Sequence, residues 1–314
     1  MSILVECMSH TPLQGHYDPT PEIVAEVQGV IAAAHERVRA FNPELVVVFA
    51  PDHFNGFFYD LMPPFCVGAA ASGVGDYGTP AGDLRVPTDI AKALVESVQA
   101  ADIDVSISYR MHVDHGAAQA LEQLVGGLDT YPVVPVFINA AAPPLGPIRR
   151  SRLLGEAIGN FLRQTGKRVL VISSGGISHE PPVPELATAP KEVAEALIGG
   201  GRNLSPEARA AREQRVINAA KAFTAGQAPH MRPLNPEWDQ AFLARLQKDL
   251  LSVDAMKNDE IARDGGKSAH EIRTWVAAFG ALSAFGKYDA QVDYYRAIPE
   301  WVAGFAFMHA QPAG

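Results

Sequence analysis

Five short runs of aliphatic and β-branched residues punctuate the first half of the chain: SILVECM (2–8), LVVVFA (45–50), DVSISY (104–109), PVVPVFIN (132–139) and RVLVISS (168–174). Longer stretches with apolar residues at helical spacing separate them, at 21–41, 87–101, 117–126 and 149–165. A strand such as LVVVFA has no polar face and must be covered on both sides, which helices in crossover connections do for a largely parallel sheet. Pro21 suits the first turn of the 21–41 helix and Thr20 its cap, Thr88 is placed to cap the 87–101 helix, and 132–139 reads as a strand despite Pro135. Past residue 185 the pattern turns mainly helical, through VINAAKAFTAG, DQAFLARLQKDLL and SAHEIRTWVAAFGALSAF, with one late strand expected at VDYYRAI (292–298). The fold class is therefore α/β: a central sheet of mostly parallel or mixed strands covered by helices on both faces, with a helical C-terminal region. One domain is expected over residues 1–314, with a strand–helix half at 1–185 and a mainly helical half at 186–314. Segments 51–87 and 180–210 read as loops, and the first, long and rich in aromatic, Gly and Pro residues, suits a functional task.

With 314 residues, 47% of them hydrophobic, the chain has the material for a sizeable core. Acidic residues outnumber basic ones 35 to 26, for a formal charge of −9, and no Lys/Arg stripe is present to track phosphates. A nucleic-acid partner is not expected. Cys7 and Cys66 give neither a disulfide framework nor a CxxC pair, which fits a reducing compartment. The first residues lack the basic and apolar regions of a signal peptide, and no run of 18 apolar residues occurs. The expectation is a cytoplasmic protein without a membrane partner.

The chemistry gathers where strands end. SILVECMS leads to His10, LVVVFAPD to His53, VSISYRM to His112 with Asp114 and His115 beyond it, and RVLVISSGGIS to His179. Ligands of open α/β sheets sit at the carboxyl ends of the strands, so four runs deliver imidazoles toward one rim if the strands are parallel neighbours. Imidazole binds Fe, Zn, Cu and Ni and moves protons near neutral pH, so the cluster reads as a metal site, an acid/base pair, or both. An iron facial triad also needs a carboxylate, for which Asp52, Asp114, Glu180 and Glu271 are candidates. Glu271 heads an apolar helix, HEIRTWVAAFG, whose dipole tolerates its charge. HExxH, GxSxG and Walker A patterns are absent.

MSHTPL (8–13), FAPDHFNGFFYDLMPPFC (49–66), MHVDHG (111–116), SSGGISHEPP (173–182) and HEIRTWVAAFG (270–280) together span nearly the whole chain. In that order they resemble the class III (LigB-type) extradiol catechol dioxygenases. The resemblance implies a single extradiol dioxygenase domain with Fe(2+) held by His10, His53 and Glu271. It implies His179 as the base that accepts a catechol proton and His115 as the acid for O–O cleavage, and leaves His112 without a role. The implied reaction is meta cleavage by O2 of 3-(2,3-dihydroxyphenyl)propanoate and 2,3-dihydroxycinnamate, giving a 2-hydroxy-6-oxononadienedioate-type product in aromatic catabolism. A protocatechuate- or gallate-type catechol is the alternative substrate; a metal-dependent hydrolase and a non-catalytic relative are alternatives of other classes. A homo-oligomer is implied, and the chain reads as self-contained, without the separate small subunit of the protocatechuate enzymes. Asp114 is a candidate for orienting an imidazole, Phe54, Phe57, Phe58, Tyr59 and Phe65 for walling a planar ring, and Arg149 and Lys267 for meeting the substrate's side-chain carboxylate.

Overall fold

The computed structural model describes residues 2–314. In chain order the elements are β1 (Ser2–Met8), α1 (Pro21–Phe41), β2 (Leu45–Ala50), β3 (Phe65–Gly68), β4 (Ala71–Val74), β5 (Ala81–Asp83), α2 (Thr88–Ala100), β6 (Ser106–Ser108), β7 (Met111–Val113), α3 (His115–Val125), β8 (Val133–Ile138) and α4 (Arg149–Gln164). There follow β9 (Arg168–Ser174), α5 (Lys191–Ile198), α6 (Pro206–Thr224), α7 (Pro236–Lys248), α8 (Asn258–Gly265), α9 (Ile272–Ser283), β10 (Tyr288–Ile298) and β11 (Ala303–Pro312).

Alternation along the strands decides the layering. Leu45, Val47 and Phe49 of β2 bury into one apolar layer together with Leu94 of α2, Leu154 and Ile158 of α4, Phe242 of α7 and Trp275 of α9. Val46, Val48 and Ala50, the residues between them, bury into the opposite layer with Val27 of α1, Leu121 of α3 and Ile217 of α6. Period-2 side chains on a strand with both faces covered produce this split, and each fully buried aliphatic side chain contributes ~1.5–3 kcal/mol. Both faces of the sheet thus carry helices, as the sequence pattern requires.

The large sheet has the order β10-β11-β1-β9-β2-β8-β3-β6, and a small one has the order β5-β4-β7. The core is parallel, with β1 beside β9, β9 beside β2 and β2 beside β8. Antiparallel pairing of β3 with β8, and of β11 with β1 and β10, makes the sheet mixed. Met8 lies opposite Ser174 and Phe49 opposite Ser173, so β1, β9 and β2 end side by side. That juxtaposition builds the site.

Several local expectations are corrected. The 51–87 segment holds β3, β4 and β5, and 180–210 holds α5. Thr88 does not cap α2: Pro87 occupies the cap position and the Thr88 hydroxyl donates to the Ala69 carbonyl. Thr20 sits at the cap of α1 but its side chain makes no capping bond. The late strand is longer than 292–298, and β11 joins it where no strand was expected. Among the described residues no helix is long and apolar enough to cross a membrane.

Candidate active site

Three of the four expected histidines come from neighbouring strands: His10 follows β1, His53 follows β2 and His179 follows β9. The fourth arrives by another route. The 104–109 run supplies β6 at the far edge of the large sheet, and His112 lies within β7 of the small sheet, its Nδ1 3.4 Å from the Ser72 hydroxyl. His115 instead opens α3, two residues before the expected helix start, because Asp114 caps that helix through the Gly116 N–H.

All four rim imidazoles are held by Nδ1. His10 Nδ1 meets the Ser174 hydroxyl at 3.0 Å, His53 Nδ1 meets Asp114 at 3.0 Å, His115 Nδ1 meets Asp76 at 2.6 Å and His179 Nδ1 faces the Ile177 carbonyl at 3.2 Å. Nε2 is then the ring nitrogen left for other work. The Glu271 carboxylate receives three of these: His53 Nε2 at 3.1 Å, His179 Nε2 at 3.2 Å and His10 Nε2 at 3.6 Å. Its second oxygen also accepts the Gly176 N–H at 2.8 Å. His10, His53 and His115 bring ring nitrogens within 4.8 Å of one another, and the His53 and His115 rings stack at 4.4 Å.

Gly175 and Gly176 explain the SSGG motif. A Cβ on Gly175 would lie 2.8 Å from the Glu271 carbonyl, and one on Gly176 would lie 2.9 Å from the His179 ring. Only a bare backbone lets the turn after β9 pass between the carboxylate and the imidazole.

Charge and burial make this a cation site. Burial alone would raise the Glu271 carboxyl, but His179 and His10 hold it well below the usual carboxylate range. Burial drives His10 down to about 3, so its ring is neutral and one of its nitrogens carries a lone pair. Burial also opposes charge on His53, yet Asp114 and Glu271 outweigh it and hold that group well above the usual imidazole value. His53 thus sits between two carboxylates, Asp114 and Glu271, that favour its charged form. Were a metal held here, His53 could keep its Nδ1–H on Asp114 and offer the Nε2 lone pair to the ion, as in a carboxylate–histidine–metal arrangement. Buried imidazole nitrogens around a carboxylate with no Lys or Arg among its partners suit a divalent ion of the Fe, Zn or Mn class.

The comparisons agree. Residues 4–306 match the model of the catalytic LigB subunit of aromatic ring-opening dioxygenase. The chain belongs to this family. A relative from Cupriavidus pinatubonensis, named 2,3-dihydroxyphenylpropionate/2,3-dihydroxicinnamic acid 1,2-dioxygenase, is 67% identical over 314 residues, covering 100% of this chain and 99% of that one. Proteins of the same name from Paraburkholderia xenovorans and Klebsiella pneumoniae are 63% and 55% identical, each over 99% of this chain and covering 98% and 99% of theirs. Among solved structures, an uncharacterized protein from Escherichia coli K12 shares the fold at a TM-score of 0.51 and 15% identity, over 99% of both chains.

In this ring-opening dioxygenase, the remaining candidates divide. Asp52 accepts the N–H groups of Asn55, Gly56 and Phe57 and shapes the turn after β2, while Glu180 pairs with Arg232 at 3.4 Å. The aromatic residues of 54–65 mostly pack the loop down: Phe57 stacks on Phe137 at 3.8 Å, Phe58 lies under Arg202, and Phe65 is core. Arg149 is exposed and Lys267 is paired with Glu185.

Three residues that build the dioxygenase site escaped the sequence reading. Asp76 takes both the backbone N–H and the ring of His115, at 2.8 and 2.6 Å. Asp239, fully buried on α7, accepts the Ser178 N–H and hydroxyl and the Tyr295 hydroxyl at 2.7–2.9 Å, holding the turn that presents His179. Arg212 of α6 donates to the His53 and Phe54 carbonyls. Left-handed backbone at Phe54 (φ 56) and Tyr77 (φ 49) marks both flanks of the site; such conformations in bulky residues cost ~1–2 kcal/mol and persist where surrounding contacts impose them.

Proposed function

We propose that this chain is an Fe(II)-dependent extradiol dioxygenase for 3-(2,3-dihydroxyphenyl)propanoate and 2,3-dihydroxycinnamate. Both atoms of O2 enter the product, a 2-hydroxy-6-oxononadienedioate from the propanoate, as the ring opens beside the diol. The convergence of His10, His53, His115, His179 and Glu271 on one rim carries the proposal. The names of relatives at 55–67% identity support the substrate.

In this reading His10, His53 and Glu271 hold the metal and leave positions open on it. Bound there, Fe(II) supplies the redox-active Lewis acid on which a catechol and O2 are brought together. The chain's own groups handle protons. His179 spends Nδ1–H on the Ile177 carbonyl, so Nε2 accepts the proton of a substrate hydroxyl. His115 donates a proton from Nε2 for O–O cleavage, and Asp76 on its other nitrogen fixes the ring's orientation. We further place the protein in the cytoplasm as an assembly of identical chains with no small subunit, a reading supported by the resemblance and by the chain's own α6 reaching the rim.

Anaerobic reconstitution with Fe(II), then substrate and O2, is expected to give the yellow ring-opened product, with protocatechuate and gallate turned over far more slowly. His115→Ala and His179→Ala should keep iron and lose about 10²–10⁴-fold in kcat, while His53→Ala and Glu271→Ala should lose iron. A Glu271→Ala protein with full iron, or a His115→Ala protein without it, would overturn the ligand assignment; the latter would make His10, His53 and His115 the holding set. Turnover with zinc and none with iron would refute the dioxygenase reading.

A further inference from the structure

An acid-tailed catechol meets a protein of net charge −9, so its carboxylate needs a local cation. The cations around the rim are mostly committed: Lys267 to Glu185, Arg202 to Asp60 and Arg232 to Glu180. Arg212 is different. It is half-buried on α6, and among the described residues no carboxylate pairs with it. Its acceptors are the His53 carbonyl, the Phe54 carbonyl at 3.1 Å and the Asn55 side-chain oxygen at 3.5 Å, contacts made only by its two Nη atoms. They take at most three of five guanidinium N–H donors, and Nε–H is among those left.

We propose that Arg212 binds the side-chain carboxylate of the catechol and sets the preference for acid-tailed substrates. This rests on the functional reading above. The guanidinium is fastened to the backbone of His53, whose ring lies in the imidazole cluster, and a propanoate tail carries its carboxylate about 4 Å beyond the ring carbon that bears it. On the other flank the Tyr77 ring meets His115 edge-on at 5.1 Å, so the residues that α6 holds adjoin the imidazole cluster. The neighbouring Glu213 accepts the Tyr77 N–H at 3.0 Å, so α6 grips both left-handed residues, Phe54 and Tyr77, with consecutive side chains. A guanidinium that is partly desolvated, fixed by carbonyls and lacking a counter-ion is prepared for a bidentate anion.

The alternative is that Arg212 only clamps the loop. Steady-state kinetics of the Fe(II)-loaded enzyme with 3-(2,3-dihydroxyphenyl)propanoate and with uncharged 3-propylcatechol separate the two. Arg212→Met should lower kcat/KM for the acid about 10–100-fold more than for 3-propylcatechol, mainly through KM, and Arg212→Lys should recover part of that difference. Equal losses on both substrates would make Arg212 a clamp, and no loss on either would remove it from the site; each overturns the proposal. Should the Met variant fail to hold iron, the Lys variant, which keeps the charge but not the fork, still lowers the acid-to-propyl ratio severalfold; an unchanged ratio refutes the binding role. Wild-type enzyme that cleaves neither catechol strikes the functional reading itself, not Arg212.

Discussion

Asp114 performs two tasks with two oxygens. One caps α3 through the Gly116 N–H, and the other takes the backbone N–H and ring of His53 and the Asn55 amide. Helix start and imidazole orientation are therefore one event, and the HVDHG sequence shows it to a reader who treats Asp114 as a cap. Asp76 does the same for His115 but stands 39 residues upstream in a Gly-rich turn, where nothing local marks it. Only the pairing of β4 with β7 brings the two segments together. If Asp76 fixes the His115 ring, Asp76→Asn should keep the metal and lower kcat about 10–100-fold; metal analysis beside kcat decides it, and a kcat within twofold of wild type rejects the role. His10, His53 and His179 stood out because histidine is uncommon and each follows a plain strand, whereas Glu271 was one of four candidate carboxylates until the resemblance singled it out. Asp239 and Arg212 were not, since an acid and a base on amphipathic helices look like any solvated face until tertiary contacts are known.

Among elements, α4 and α9 make the closest helix contact. A Cβ on Gly155 would lie 2.0 Å from the Ala277 carbonyl, one on Gly159 2.2 Å from that of Ala281, and one on Gly280 2.4 Å from that of Arg152. Glycines on both helices let the backbones touch, and α9 in turn starts at the residue after Glu271. Gly155→Ala should separate the pair and lower unfolding stability by about 1–3 kcal/mol, read by urea denaturation; unchanged stability would mean the helices part without cost. Strands β1, β2, β8 and β9 and helices α1 to α4 could be read within a few residues, because long periodic or β-branched runs have one solution. β3, β4 and β5 could not, being three or four residues long and interrupted by Gly. β11 escaped because AGFAFMHAQP is almost wholly buried and shows no alternation, a pattern that does not tell a strand from a core helix.

At the scale of the molecule, mixed sheet and two-sided helical cover follow from the strand pattern, but the antiparallel pair at one edge does not. That pair carries a half-buried ionic cluster around the buried Glu6: Glu6 of β1 bonds Arg37 of α1 at 2.6 and 3.1 Å, Arg37 bonds Asp293 of β10 at 2.8 Å, and Asp293 bonds His309 of β11 at 2.8 Å. Burial pushes the Glu6 carboxyl up to about 7 against the pull of Arg37. The folded chain therefore keeps a proton that the unfolded chain releases above its ordinary value of 4.5. Stability from this group is complete below that value and is lost as pH rises through 7, by at most about 3 kcal/mol. Glu6→Gln removes the dependence, so the stability of the variant relative to wild type should rise between pH 5 and pH 8; a constant difference by urea unfolding would contradict the assignment.

The place of β11 has a consequence for the order of events in synthesis. Residues Val5 to Met8, which lead into His10, pair on one side with β11, and Ser9 is fastened to Gly304 and Ala306. β1 thus stays half paired until the much later β11 has been made, and Glu271 too follows long after His10. The rim that joins His10 to Glu271 therefore cannot close until β11 has emerged and paired with β1, so a metal centre held by these residues would form late in folding.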